Sequence, residues 1–204
     1  NIDNNAFTNG MAITVLRYAA QAAQVLGIAA DPDWEVVAAN IPIPHFSDGT
    51  TRENSRYDGV AVKQADANLL AYPLDIVKAP ADVARDLAYY APRLSAEGPA
   101  MSQAIVATLS ARLDRPDQAY AAFIKSYRPN QLPPFGVLAE TAGGSNPYFA
   151  TGAGGSLQAL LFGFGGVHIG DDGITQAPQR LPASWKRLVI KGVGPQRATW
   201  TVAR

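Results

Sequence analysis

The 204-residue chain contains no cysteine, which excludes thiol nucleophiles, zinc–thiolate centres and disulfides together. That absence leaves the compartment open, because cysteine-free proteins work under oxidising and reducing conditions alike. Neither sign of charge is in excess: 17 Lys and Arg stand against 17 Asp and Glu. With no Lys/Arg cluster there is no electrostatic footprint for nucleic acid or an anionic membrane, and a neutral ligand is the easier partner to imagine. No apolar run approaches the roughly 20 residues that span a bilayer. No Asn-X-Ser/Thr acceptor occurs. Histidine is scarce: His45 and His168 are the only two and lie far apart in sequence, with no HExxH-type pairing, so no metal site is expected. No serine sits in a GxSxG context either, which removes that route to a Ser-His-Asp hydrolase.

What is present is ample for a core. Hydrophobic residues make up 48% of the chain and charged residues 17%, a balance that folds rather than staying disordered. The sequence begins at Asn1 without an initiator Met or signal peptide, so it reads as a piece of a longer polypeptide. Asp3, Asn4 and Asn5 supply a helix-start signal, and Phe7, Met11, Val15, Ala19, Ala22 and Leu26 recur as the stripe of an amphipathic helix that Gly27 closes. Asp31 and Pro32 open a short second helix that Ile41-Pro42-Ile43-Pro44 ends. Residues 45–59 read as a loop. Further helices are expected over residues 60–72, 81–90, 101–113, 118–127 and 156–162, with a long Pro- and Gly-rich passage over 129–155. After Gly166 the pattern changes to short β-branched runs at residues 167–169, 187–191 and 198–202, separated by turn residues. The expected organisation is a helical-hairpin domain over residues 1–166 and a small β portion over residues 167–204.

One carboxylate stands apart from helix faces and caps. Glu140 ends the apolar run Pro133-Pro134-Phe135-Gly136-Val137-Leu138-Ala139, next to flexible glycines, a setting that suits a base activating water. A turn-capping or solvent-facing Glu140 is the structural alternative. Thr151-Gly152-Ala153-Gly154-Gly155-Ser156 lacks the Lys-Ser/Thr of a P-loop and reads as a tight, backbone-close helix start. Lys63-Gln64-Ala65-Asp66 is expected at a helix start, where a lysine opposes the dipole and is otherwise solvated or ion-paired.

Read together, three ordered motifs resemble glycoside hydrolase family 65: Asn4-Asn5-Ala6-Phe7-Thr8-Asn9, Lys63-Gln64-Ala65-Asp66, and Gly152-Ala153-Gly154-Gly155-Ser156-Leu157-Gln158-Ala159 running into Phe162-Gly163-Phe164-Gly165-Gly166. The resemblance implies a mainly α fold, the second half of an (α/α)6 barrel followed by a small C-terminal β-sandwich portion. It implies an inverting α-glucosidase of the acid trehalase, kojibiose hydrolase or glucosylgalactosyl-hydroxylysine glucosidase kind, with Glu140 as general base and Lys63 and Gln64 contacting the glucose beside the scissile bond. The family's acid, a Glu just ahead of the Asn-Asn-Ala segment, would precede Asn1, so an upstream fragment of the same precursor is the expected partner, completing the barrel. No metal or organic cofactor is implied, and a secreted or periplasmic location is favoured. Family phosphorylases bind phosphate through a Ser-Ser-Leu-Ser motif and a later His. Here the matching residues are Pro99-Ala100-Met101-Ser102, and Phe149 lies about where the His is expected, so hydrolysis is favoured over phosphorolysis. The alternative from another class is a non-catalytic helical carbohydrate-binding or scaffold fragment.

Overall fold

A computed structural model describes residues 3–204; Asn1 and Ile2, the first residues of the expected helical domain, lie outside the described residues. Among the described residues the protein is mainly helical, with six α-helices and small antiparallel sheets. They group into two compact units. One contains the residues up to Ala61 together with Ala65–Arg93, and the other contains Val62–Gln64 and Leu94–Arg204. No helix among the described residues is long and apolar enough to cross a membrane.

The first unit is built on α1 (Ala6–Leu26), α2 (Asp33–Asn40) and α3 (Pro80–Tyr90). Asn5 caps α1 by accepting from the Thr8 amide at 2.9 Å, and Gly27 closes it in the left-handed conformation at φ 66°, the two ends that the sequence signalled. The expected apolar stripe faces the wrong way for this unit. Ala6, Gly10, Ile13 and Ala23 are the buried residues of α1, whereas Met11, Val15, Tyr18, Val25 and Leu26 are exposed. The reason is close approach: a Cβ on Gly10 would lie 2.5 Å from Leu70 Cδ2, so the inner face needs small residues and the bulky ones point outward.

The helix expected over residues 60–72 is not there. The chain is non-helical, bridging at Val62 and bending at Lys63 and Gln64, until a 3₁₀ turn at Asp66–Leu70, because non-local partners supply its backbone hydrogen bonds. Glu53 takes the amides of Asp66 and Ala67, each at 3.0 Å, leaving no role for an α-helical ladder there. Around this turn Phe46, Tyr57, Tyr89 and Tyr90 form an aromatic cluster with ring centroids 5.0–6.2 Å apart.

In the second unit α4 (Ala100–Arg112) and α5 (Pro116–Lys125) form a hairpin, and α6 (Ala150–Gln158) packs on α4 before loosening into a π-helical stretch, Ala159–Phe164. The glycine-rich run therefore lies inside α6 rather than ahead of a helix. A Cβ on Gly152 would lie 3.0 Å from Ala100 Cβ, one on Gly155 3.1 Å from Ala104 Cβ, and one on Gly163 3.1 Å from Thr108 Cα. Successive turns of the two segments thus meet almost backbone to backbone. Between α5 and α6, the strands β1 (Gln131–Leu132) and β2 (Val137–Leu138) make a short hairpin. Phe123, Phe164 and Trp185 pack edge to face or tilted at 4.8–5.9 Å. The runs expected after Gly166 are β3 (Val167–Gly170), β5 (Arg187–Val193) and β6 (Ala198–Ala203). A fourth strand that sequence reading missed, β4 (Gly173–Gln176), pairs with β3, while β5 pairs with β6.

Candidate active site

Two segments of the second unit bring the singled-out side chains together. The first is pinned along its backbone: Val62 bridges Leu94 in parallel, Ser95 N donates to Val62 O at 2.9 Å, and Ser102 Oγ donates to Lys63 O at 3.4 Å. Gly98 lies against this segment so closely that a Cβ would sit 2.8 Å from Lys63 O and 2.9 Å from Ser95 O. Neither neighbour is a flexible side chain, so Gly98→Ala must push the two segments apart. We expect it to lower stability by about 1–3 kcal/mol, read as a drop in the denaturant midpoint. An unchanged midpoint would show that the Lys63 segment is slack.

The second segment follows β2. The chain leaves the hairpin through buried Leu138 and Ala139, and Glu140 emerges half-exposed at the head of a turn. Its backbone belongs to neither a helix nor a sheet. Asn130 Nδ2 donates to Ala139 O at 3.1 Å and to Glu140 O at 3.0 Å, while Glu140 N donates to Asn146 Oδ1 at 3.3 Å. Phe149 N donates to Leu138 O at 2.8 Å, tying the start of α6 to the end of β2.

Across 77 residues of sequence, Lys63 Nζ meets Glu140 Oε1 at 2.8 Å. This charge-assisted bond is open to solvent, so it is worth little to stability, but it fixes the carboxylate beside a cation. Gln64 is exposed on the same pinned segment. Lys63 and Glu140 are thus brought into contact, and Gln64 is carried next to Lys63 by the chain. Among the described residues no group of three or more His, Cys, Asp or Glu is gathered as a metal cage. His45 and His168 are both exposed.

Sequence reasoning passed over the amides that hold Glu140, and it passed over Glu53. In the first unit Glu53 is buried, and burial pushes its carboxyl up to about 7, opposed by the two amide donors and reinforced by the nearby charge of Asp66. Close by, Asp86 accepts from Thr51 N at 2.8 Å and Thr51 Oγ1 at 2.6 Å, and Tyr90 Oη donates to Thr51 O at 2.7 Å. Burial raises Asp86 and Tyr90 as well. A lone Glu in a polar turn-rich stretch carries no sequence signal of burial.

No family model matches the chain. Its similarity to characterised proteins is nonetheless extensive. A kojibiose hydrolase of Mucilaginibacter mallensis is 55% identical over 98% of the chain and 30% of its own length. A kojibiose hydrolase of Flavobacterium johnsoniae is 48% identical over 99% of the chain and 30% of its own length. A periplasmic acid trehalase of Saccharomyces cerevisiae is 35% identical over 81% of the chain and 15% of its own length. The similarity to these glycoside hydrolases is consistent with a family of the family 65 type. The chain spans less than a third of the length of any of the three.

Proposed function

We propose that this chain supplies the base-bearing part of an inverting α-glucoside hydrolase that releases glucose from an α-linked disaccharide or glucosyl conjugate such as kojibiose or trehalose. The observation that carries the reading is the 2.8 Å contact between Lys63 Nζ and Glu140 Oε1, since two residues far apart in sequence, each assigned to one sugar site by resemblance alone, share one place in the fold. Glycosidases of this stereochemistry hold acid and base about 6.5–9.5 Å apart, leaving room for a water opposite the leaving group. In this reading Lys63 anchors Oε1 of Glu140, and Oε2 takes the proton of that water. Lys63 and Gln64 donate to hydroxyls of the glucose beside the scissile bond. The acid that protonates the glycosidic oxygen comes from an upstream segment of the same precursor, and no cofactor takes part.

The same reading treats residues 1–166 as the second half of an (α/α)6 barrel and residues 167–204 as part of a β-sandwich domain. Supporting it, the outward stripe Met11, Val15, Tyr18 and Val25 on α1 follows alternating three- and four-residue steps once exposed Ala22 is counted, the spacing of a helix seam wanting a neighbouring helix. Upstream helices of the barrel would cover it. The yeast relative's description as periplasmic favours a secreted or periplasmic setting.

The deciding experiment compares the full-length precursor with the 204-residue chain on kojibiose and trehalose. The precursor should release glucose without added phosphate, with β-glucose appearing first from kojibiose and equal amounts of α- and β-glucose from trehalose by NMR, while the chain alone releases none. Glucose 1-phosphate formed only in phosphate would make the protein a phosphorylase, α-glucose formed first from kojibiose or formed alone from trehalose would exclude inversion, and no cleavage would leave a binding or scaffold role.

A further inference from the structure

We propose that Asn130 and Asn146 are positioning residues that set the aim of the Glu140 carboxylate, an inference that rests on the reading of Glu140 as the general base. Secondary structure normally fixes a side chain by fixing the hydrogen bonds of its own peptide groups. Around Glu140 two asparagine side chains do this instead. The single Nδ2 of Asn130 satisfies the carbonyls on both sides of the Ala139–Glu140 step, at 3.1 and 3.0 Å, and Asn146 Oδ1 receives the Glu140 N–H at 3.3 Å.

The two amides are anchored differently. Asn130 is 3% exposed, and its own carbonyl accepts from Ala139 N at 2.8 Å, while Gly143 N donates to Pro129 O at 3.2 Å. The residues on either side of the base are therefore laced to the segment before β1. Asn146 is exposed, on the descending arm of the same loop. Asparagine suits both tasks because one end donates and the other accepts. An aspartate at position 130 would set oxygen against two carbonyl oxygens, whereas an aspartate at position 146 would keep the acceptor that Glu140 N–H needs. That asymmetry distinguishes the clamp from general packing. Misplacing a catalytic group by about 1 Å costs on the order of 10²-fold in rate, so loss of the clamp should appear in turnover rather than in substrate affinity.

The test uses the full-length enzyme with Glu140→Gln as reference, each rate normalised to folded protein. Asn146→Ala should lower kcat by about tenfold with KM little changed, and Asn146→Asp should restore most of it. Asn130→Asp should lower kcat by about 10²-fold at neutral pH and recover as the pH falls and the introduced carboxyl takes a proton that it can donate. If Asn130→Asp does not fold, the Asn146 pair alone decides. Wild-type kcat in Asn146→Ala, or no difference between Asn146→Ala and Asn146→Asp, overturns the clamp while an inactive Glu140→Gln keeps the base. Wild-type turnover in Glu140→Gln overturns the base reading, and the clamp with it.

Discussion

Glu140→Gln in the full-length enzyme should reduce turnover by about 10²–10⁴ while leaving KM within a small factor. The amide keeps the shape of the side chain and one acceptor toward Lys63, but it has no basic oxygen left to take a proton from water. Stability should hardly move. The Lys63–Glu140 bond is solvent-exposed on both sides, and pairs of that kind contribute about 0–1 kcal/mol. No cavity opens either, because Glu and Gln are nearly isosteric. Hydrolysis rate and melting temperature measured on the same variant separate the two roles that the sequence allowed. A structural glutamate gives normal turnover with a melting shift, and a base gives the reverse.

The stability of the first unit should fall as the pH rises from about 4.5 to about 7. Burial in the fold pushes the Glu53 carboxyl up to about 7 from its ordinary value of 4.5, while the unfolded chain releases the proton near the lower value. Between the two, the folded state binds more protons, so folding is favoured at the acid end and the advantage is lost as the pH climbs through the folded value. The difference corresponds to about 3 kcal/mol at 1.36 kcal/mol per unit. Asp66 and Asp86, also raised by burial, act with the same sign. Glu53→Gln removes the largest part, keeps one acceptor for the Asp66 and Ala67 amides, and should flatten the profile of melting temperature against pH between 5 and 7. An equally steep profile in the variant would show that Glu53 titrates in the fold as it does in water.

Particular residues show where the sequence was legible. Asn5 and Gly27 bound α1 because caps are local signals, requiring only a side-chain oxygen and a left-handed φ. The orientation of that helix was not legible. Apolar periodicity names a stripe without saying which stripe finds a partner, and here Gly10 and Ala23 take the inner face while Met11 and Val15 face out. Residues 60–72 misled for a related reason. Their composition permits a helix, yet the acceptor that decides their conformation, Glu53, is thirteen residues away from Asp66 and announces nothing locally. For the site, the readings of Glu140, Lys63 and Gln64 rest on resemblance to a family, and the contact of Lys63 with Glu140 is visible through the fold alone. Asn130 and Asn146 had no pattern to betray them, since hydrogen bonding from a loop side chain to a loop backbone leaves no period in a sequence.

The glycines of α6 make that helix depend on the surface it packs against. Gly152, Gly154 and Gly155 fall within nine residues, and each costs an isolated helix about 1 kcal/mol relative to alanine, so this segment has no tendency to coil before it finds a surface. The α4–α5 hairpin, local in sequence and rich in alanine, offers that surface through Ala100 and Ala104. With α6 docked there, Phe149 N donates to Leu138 O, so the packing of these glycines also ties down the arm bearing Glu140.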